Sequence, residues 1–217
     1  MNISENILQN SLKNVYFLIG APCSGKTTMC KAISDKYGFT FFNGNHRDQN
    51  FEKWQEICNA DYQKVSAQKI TDWEYFFNRP AEEYIERLTT VGTEYFEYVI
   101  IEIIKLAQNN IVITDINIPS ELIKQISTYN RIACLITTPD IVVRDYYQRD
   151  DHRDIYECIM SLKNPQQSLH NNKTVLRTVC NAICNDIYHS GLFYILRDEN
   201  STIETTLALL EKHFSLS

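Results

Sequence analysis

The chain has 217 residues and a formal net charge of −6, with 44% hydrophobic and 22% charged residues. This length is enough for one domain with a substantial core, and the composition is typical of a globular protein. The negative charge argues against nucleic-acid binding, because contacts with phosphate backbones need clustered Lys and Arg. The sequence contains no apolar run of membrane-spanning length and no signal-peptide core, so we expect a cytoplasmic protein without membrane contact.

The cysteines argue against a disulfide framework. They are odd in number, at seven, and none of them forms a C-x-x-C pair. We therefore expect reduced thiols in cores and loops. Cys180 and Cys184 lie one helical turn apart, where core packing is favoured over a metal site. Cys23 precedes a predicted helix, and a helix N-terminus favours the thiolate form.

The first predicted elements are a strand, a loop and a helix. Residues 15–19 form an apolar run of strand length that leads into Gly20. The sequence then reads GAPCSGKTT, which has the spacing G-x-x-x-x-G-K-T of a phosphate-binding P-loop. A strand before the loop and a helix after it are the setting that this motif requires. We therefore predict that the chain binds a nucleoside triphosphate.

Each part of the P-loop has a physical role with a phosphate. The glycines and small residues let successive backbone N–H groups turn toward an anion at the positive end of the following helix. We expect Lys26 to reach the β- and γ-phosphates and the Thr27 hydroxyl to ligate Mg²⁺. The predicted nucleotide-binding residues of this loop are Gly20, Ala21, Pro22, Cys23, Ser24, Gly25, Lys26, Thr27 and Thr28.

A second strand is predicted over residues 39–42, after a helix stop at Gly38. Polar residues follow it, and in a doubly wound sheet a ligand lies at the carboxyl ends of the strands. We interpret this segment as part of a substrate site, against the alternative of an Asn-Gly turn with solvated charges. The candidate residues are Asn43, Asn45, His46, Arg47 and Asp48.

Residues 51–84 are rich in aromatic side chains. A single aromatic residue belongs to the core by default, but a cluster of this density outside the sheet also suits the wall of a substrate pocket. Pro80 predicts the start of a helix, and Gly92 predicts an interruption before a second helical run over residues 93–108.

A buried parallel strand is predicted over residues 111–114, and Asp115 follows it directly. An apolar strand ending in an Asp near Mg²⁺ is the second element of a P-loop nucleotide site. We therefore assign Asp115 to the metal or to the reacting acceptor, and the alternative is a cap for the helix beginning near Pro119. Ile116 stands where motor-type ATPases commonly place a water-activating Glu, which argues against hydrolysis.

A fourth strand is predicted over residues 132–137, and the most charged stretch of the chain lies at residues 144–154. Arginines in a hinged lid neutralise charge that develops on a transferring phosphoryl group, and the lid excludes water. We predict that Arg144 and Arg149 clamp the phosphate and that Arg153 contacts the substrate, against the alternative of a solvated, salt-bridged helix. His152 either binds a phosphate or caps the lid.

The last predicted elements are an amphipathic helix over residues 173–190, a fifth strand over residues 192–196 and a final helix. Arg197 follows the fifth strand. A loop in that position either touches the adenine or faces solvent as a turn.

The order of these parts resembles the small P-loop kinases, which include shikimate, gluconate, adenylate and cytidylate kinases. The local likeness is to gluconate kinases, whose lid has an Arg, four residues, a second Arg, a nearby His and a later Leu-x-x-Pro. Arg144, Arg149, His152, Leu162 and Pro165 fall in that pattern.

The chain departs from the gluconate kinase pattern at the residues expected to bind the acceptor. Gluconate kinases have Asp-Gly-Asp at the end of the second strand, where this chain has Asn43-Gly44-Asn45. Asp48 is the nearest replacement base, and Asp115 is the other candidate.

The resemblance implies an α/β protein with the P-loop NTPase fold, in which three α/β/α layers contain a five-stranded parallel sheet and carry a helical lid. It implies one domain over residues 1–217, with an acceptor-binding helical insertion at about residues 45–92 and the lid at about residues 139–165. ATP and Mg²⁺ are the implied cofactors, and the γ-phosphoryl group passes to a small-molecule acceptor such as a sugar acid. The alternatives are a nucleoside or nucleoside monophosphate kinase and a catalytically weak ATP-binding regulator. We expect a monomer or a homodimer.

Overall fold

The computed structural model describes residues 5–44, 53, 68 and 70–216. Five strands form one sheet: β1 (Val15–Gly20), β2 (Thr40–Asn43), β3 (Val112–Asp115), β4 (Ile132–Thr137) and β5 (Tyr194–Arg197). Their order is β2-β3-β1-β4-β5, and each pair of neighbours is parallel. The predicted α/β fold with a five-stranded parallel sheet is confirmed.

The central strands are apolar because both faces of the sheet are covered. Every residue of β1 and β4 is buried, and neither strand shows the polar alternation of a sheet with one wet face. Successive side chains point to opposite faces. Phe17 and Ile19 therefore belong to one core cluster, and Leu18 belongs to the other.

Helices cover both faces. They are α1 (Glu5–Ser11), α2 (Lys26–Tyr37), α3 (Trp73–Asn78), α4 (Ala81–Ala107), α5 (Ser120–Ile126), α6 (Pro139–Asp145), α7 (Arg153–Met160), α8 (Pro165–Ser190) and α9 (Ile203–Phe214). One face is packed by α2 and α9, for example through Ile33 and Leu210. The other face is packed by α1, α4, α5 and α8, for example through Ile103, Ile123 and Ile187. The result is three α/β/α layers.

Helix α4 corrects one sequence prediction. Gly92 was expected to interrupt it, but the helix runs without a break from Ala81 to Ala107. Glycine in a helix interior costs about 1 kcal/mol relative to Ala. The buried face that follows it, with Tyr95, Val99 and Ile103, outweighs that cost because most helical stability comes from packing an apolar face.

The segment predicted to be a lid, residues 139–165 and called the lid segment below, consists of short helical pieces. After α6 ends at Asp145, 3₁₀ turns occupy residues 146–148 and 150–152, and α7 follows them. Helix α8 then begins at Pro165, well before the predicted start at residue 173. Proline is favoured at this position because the first N–H groups of a helix have no acceptor within the helix, so the N–H that proline lacks is not missed.

The sequence predicts no membrane-spanning segment. Within the described ranges, none of the helices combines the length and the apolar character that crossing a membrane requires.

Candidate active site

The P-loop, residues 20–27, joins the carboxyl end of β1 to α2. At Gly20 φ is +128°, and a Cβ there would collide with the carbonyl oxygen of Leu135 on the neighbouring strand β4. Only glycine therefore lets the chain leave the sheet at this point. The next residue, Ala21, donates its N–H to the same carbonyl at 3.0 Å, and the buried Ser24 hydroxyl donates to the Ala21 carbonyl at 2.8 Å. These bonds hold the loop against the sheet.

The tip of the P-loop has two residues with positive φ just before α2. Cys23 has a φ of +57°, in the left-handed region that side chains disfavour, and Gly25, with a φ of +92°, precedes the first residue of α2. A backbone that turns in this way presents N–H groups on its concave side. Helix α2 adds the positive end of its dipole at the same place. Pro22 is half-buried beside the tip, and Thr28 is exposed on the first turn of α2.

Arg197 supports this tip from β5. Its Nη1 donates a short hydrogen bond to the carbonyl oxygen of Cys23 and lies 3.8 Å from Asp145 Oδ2. The sequence left contact with the adenine and a solvent-facing turn as the alternatives for Arg197. The structure shows that its guanidinium contacts the backbone of the P-loop.

The thiol of Cys23 differs from the sequence expectation. Burial raises its pKa above the ordinary value, because an apolar environment disfavours the charged form. The Arg149 guanidinium lies beside this sulfur and lowers its pKa by a smaller amount. The expectation of a thiolate at Cys23 is therefore wrong.

Lys26 folds back over the P-loop. Its Nζ donates to the carbonyl oxygens of Gly20 at 2.9 Å and Ala21 at 2.7 Å. Burial lowers the pKa of Lys26, and the nearby Asp115 carboxylate opposes that shift. The ammonium group thus lies at the mouth of the loop, held by two carbonyl oxygens and close to a carboxylate.

Thr27 and Asp115 meet although they are far apart in the sequence. Thr27 Oγ1 donates a short hydrogen bond to Asp115 Oδ2. The register of the sheet places Asp115 beside Leu18 of β1 on one side and Asn43 of β2 on the other. The carboxyl ends of three neighbouring strands therefore converge on this carboxylate.

Asp115 does not cap the helix that follows it. Helix α5 begins at Ser120, and Asp186 of α8 accepts hydrogen bonds at 2.9 Å from both the N–H and the hydroxyl of Ser120. The capping alternative for Asp115 is therefore wrong.

The arrangement of Thr27 and Asp115 fits a Mg²⁺ site. Asp115 is only 5% exposed, and its Oδ1 is buried without a hydrogen-bond partner in the described part of the chain. A buried carboxylate oxygen without a partner is costly, and a bound cation removes that cost. Mg²⁺ prefers oxygen ligands and keeps several waters, so one carboxylate and one hydroxyl are enough protein ligands. Among the described residues, no group of three or more His, Cys, Asp or Glu is placed to hold a metal.

The predicted substrate segment begins beside this carboxylate. Asn43 is half-buried at the end of β2, and the Gly44 N–H donates to the Asp115 carbonyl oxygen at 3.0 Å. A Cβ on Gly44 would lie 2.6 Å from that carbonyl oxygen. The chain after β2 therefore approaches the end of β3 as closely as glycine allows. The remaining candidates lie outside the described residues and stay predictions: Asn45, His46, Arg47 and Asp48.

The two predicted clamp arginines have different partners. They do not share a helix, because α6 ends at Asp145. Arg144 is half-exposed and pairs with Asp145 at 2.6 Å and with Glu199 at 2.5 Å. Arg149 donates to both carboxylate oxygens of Asp151, at 2.8 and 2.5 Å, and lies beside the P-loop thiol. The structure therefore brings Arg149 to the P-loop and directs Arg144 toward the loop after β5.

Arg153 lies in solvent, whereas His152 is buried and its Nε2 lies 4.0 Å from Asp151 Oδ2. The Arg153 side chain is 73% exposed, and its Nη2 lies 3.9 Å from Oδ1 of the fully exposed Asp150. His152 is buried, its Nδ1 lies 2.9 Å from the Tyr146 carbonyl oxygen, and its ring packs on the Tyr146 ring with centroids 4.0 Å apart. Of the two roles left open for His152, this environment favours capping within the lid.

Asp145 has a position that no sequence pattern indicates. It accepts from Arg144 and lies near Arg197, so it links the lid segment to the residue that supports the P-loop. The Arg144 guanidinium lowers the pKa of Asp145, which keeps this carboxylate charged. In the sequence Asp145 is one acid in an interleaved run of charges, and nothing distinguishes it from Asp150 or Asp154.

The comparisons with known proteins concern the fold. The structure resembles shikimate kinases. It is similar to the shikimate kinase from Acinetobacter baumannii in complex with shikimate, with 16% sequence identity, a TM-score of 0.46 and coverage of 96% of this chain and 98% of that chain. It is also similar to the shikimate kinase from Bacteroides thetaiotaomicron, with 16% identity, a TM-score of 0.48 and coverage of 93% and 98%. No protein-family model and no curated protein matches the sequence.

Proposed function

We propose that this chain transfers the γ-phosphoryl group of ATP, with Mg²⁺, to a small hydroxyl-bearing acceptor. One observation supports this most strongly. Lys26, Thr27 and Asp115 converge at the mouth of an anion-binding loop, and one oxygen of the buried carboxylate has no partner among the described residues. A positive charge, a hydroxyl and an unsatisfied carboxylate oxygen together suit a metal–triphosphate complex.

Each residue has a role that follows from its position. The N–H groups of residues 23–27 would hold the phosphates, because the Ala21 N–H is bonded to the Leu135 carbonyl and Pro22 has no N–H. Lys26 would exchange its two carbonyl acceptors for phosphate oxygens. Thr27 Oγ1 and Asp115 Oδ1 would hold the Mg²⁺. Bound MgATP supplies the transferable phosphoryl group and the neutralisation of its charge.

Arg149 is the better of the two clamp candidates. It lies beside the tip of the P-loop and is oriented by a two-pronged pair with Asp151. A guanidinium held in this way can neutralise charge that develops during transfer without a large reorganisation. Arg144 is held by Asp145 and Glu199, so we propose that it acts only if the lid segment moves.

The site favours transfer over hydrolysis. Ile116, which follows Asp115, is 3% exposed and belongs to the apolar core. No carboxylate is therefore present at this position to activate water. Because Asp115 is engaged with Thr27, Asp48 remains the candidate that orients the acceptor hydroxyl.

One feature supports a nucleoside-type acceptor as the second candidate. Trp73 and Tyr75 on α3 are 45% and 54% exposed, and an exposed aromatic side chain can stack on a base. The first candidate, a sugar acid or another small hydroxyl-bearing metabolite, rests on the resemblance of the sequence to gluconate kinases, from which Asn43 and Asn45 depart.

The test is ADP release from ATP and Mg²⁺ in the presence of single acceptors: sugars, sugar acids, nucleosides and nucleoside monophosphates. We expect one class to stimulate release, and Lys26→Ala to abolish the stimulation. Lys36→Ala is the matched control, because Lys36 lies on the same helix, half-exposed, and pairs with Glu211. ATP binding without stimulation by any acceptor would contradict the proposal and favour a regulatory ATP-binding protein.

A further inference from the structure

Two thiols face each other behind the P-loop. Cys180 and Cys184 lie one turn apart on α8, with their sulfur atoms 4.0 Å apart. Both sulfurs are also within reach of one acceptor, the Thr137 carbonyl oxygen, at 3.4 and 3.5 Å. Cys180 is fully buried and Cys184 is partly exposed. The two residues therefore share a face of α8.

This pair lies at a junction between the P-loop and the lid segment. Cys180 forms a small core cluster with Ala21 of the P-loop and Val142 of α6, and Cys184 packs against that cluster. The shared acceptor, Thr137, ends β4, and the next residue caps the N-terminus of α6 with its side chain. A chemical change at the two sulfurs would therefore reach both elements.

The two thiols differ in reactivity. A hydrogen bond from Cys180 lowers the pKa of Cys184, whereas the same pairing and burial raise the pKa of Cys180. Burial also raises the pKa of Cys158, a partly exposed cysteine on α7. Because the thiolate is the nucleophilic form, Cys184 is both the more accessible and the more reactive member of the pair.

We propose that Cys184 and Cys180 form a peroxide-reactive dithiol that closes to a disulfide within α8. In the first step the Cys184 thiolate attacks one oxygen of a hydroperoxide, the O–O bond breaks, and the released hydroxide or alkoxide takes up a proton. In the second step the Cys180 sulfur attacks the Cys184 sulfenic acid. An S–S bond forms as the S–O bond breaks, and the Cys180 proton leaves with the hydroxide as water. The two thiols supply the two electrons that reduce the peroxide.

Closing this disulfide changes the local structure. The sulfurs must approach from 4.0 Å to about 2.05 Å, and disulfides keep their Cβ atoms about 3.5–4.5 Å apart. Side chains one helical turn apart have Cβ atoms about 5–6 Å apart, so this turn of α8 must tighten. Oxidation also removes the S–H hydrogens that lie within reach of the Thr137 carbonyl oxygen. We therefore expect the oxidised protein to have a lower Tm, and dithiothreitol to restore it.

The test uses the full chain treated with hydrogen peroxide and then alkylated with N-ethylmaleimide. Trypsin cleaves after Arg177 and Arg197, so one peptide holds both cysteines and no other. We expect peroxide to give a form of this peptide that lacks two hydrogens and takes no alkylating group, and dithiothreitol to reverse this. A peptide that remains doubly alkylated, or that carries a sulfinic acid at Cys184 with Cys180 still alkylated, would overturn the proposal.

Variants separate the roles of the two thiols. Cys180→Ala should leave a sulfenic acid at Cys184 that dimedone traps, and Cys184→Ser should leave Cys180 unoxidised. Cys158→Ser is the matched control, because it removes a partly exposed thiol and should leave the disulfide unchanged. If Cys180→Ala fails to fold, the unmodified chain still decides: N-ethylmaleimide should label Cys184 faster than Cys158, and slower labelling of Cys184 contradicts the proposal.

Discussion

Arg197 should control nucleotide affinity without being part of the phosphate site. Its guanidinium donates to the carbonyl oxygen of Cys23. The positive φ of Cys23 costs about 1–3 kcal/mol and persists only because the surrounding structure holds it. Arg197→Ala removes this support. The P-loop should then populate conformations that do not bind phosphate, and the apparent Kd rises as the competent fraction falls.

The size of the effect follows from the bond and its exposure. A hydrogen bond to a charged group contributes about 1.5–3 kcal/mol. Because the Arg197 side chain is 35% exposed, water replaces part of the bond, and we take the lower end, ~1.5 kcal/mol. That free energy corresponds to an increase of up to about tenfold in the Kd for ATP. The Asp145 carboxylate, 3.8 Å away, adds little to this value.

The assay is a titration of Arg197→Ala with an ATP analogue, next to Arg153→Ala as a control. Arg153 is the solvated arginine of the lid segment, so its loss changes the net charge equally but leaves the P-loop untouched. Adding Cys23→Gly to Arg197→Ala should recover part of the affinity, because glycine accepts a positive φ. Equal affinities for Arg197→Ala and Arg153→Ala would refute this reasoning.

Two further predictions concern stability. Gly92→Ala should raise Tm, because a Cβ at this helical site would make an ordinary contact with the Asn117 carbonyl oxygen at 3.9 Å and Ala gains about 0.5–1 kcal/mol there. Gly20→Ala should lower Tm sharply, because its Cβ would collide with the Leu135 carbonyl. Thermal unfolding of both variants checks these predictions, and similar shifts in Tm would contradict them. Arg149 lowers the pKa of Asp151. The pair therefore stabilises the folded protein fully at pH values above the ordinary Asp pKa of about 3.9, and this stabilisation is lost as the pH falls through the lowered pKa. Asp151→Asn should therefore weaken the acid dependence of Tm, and an unchanged pH profile would count against the pair.

The sheet and the P-loop were predictable because their signals are local. A parallel strand covered on both faces must be apolar throughout, as in β1 and β4, and the P-loop spacing is read from adjacent residues. The meeting of Thr27 and Asp115 followed from the same logic, since parallel strands bring their carboxyl ends to one edge of the sheet.

The partners of the lid arginines were not predictable. Arg144 and Arg149 differ because α6 ends at Asp145, and the interleaved charges give no sign of that end. The support of Cys23 by Arg197 joins residues far apart in the sequence, and neither one has a distinctive local pattern. The thiolate expectation for Cys23 failed because burial, which depends on the whole fold, outweighs the effect of a helix N-terminus.

The most direct test of the central claim is a calorimetric titration of the protein with ATP, with and without Mg²⁺. If Lys26, Thr27 and Asp115 form a metal–triphosphate site, ATP binds more tightly with Mg²⁺, and Asp115→Asn removes most of that difference while Lys36→Ala retains it. ATP binding that is absent, or equally tight with and without Mg²⁺ in the unmodified chain, would contradict the account.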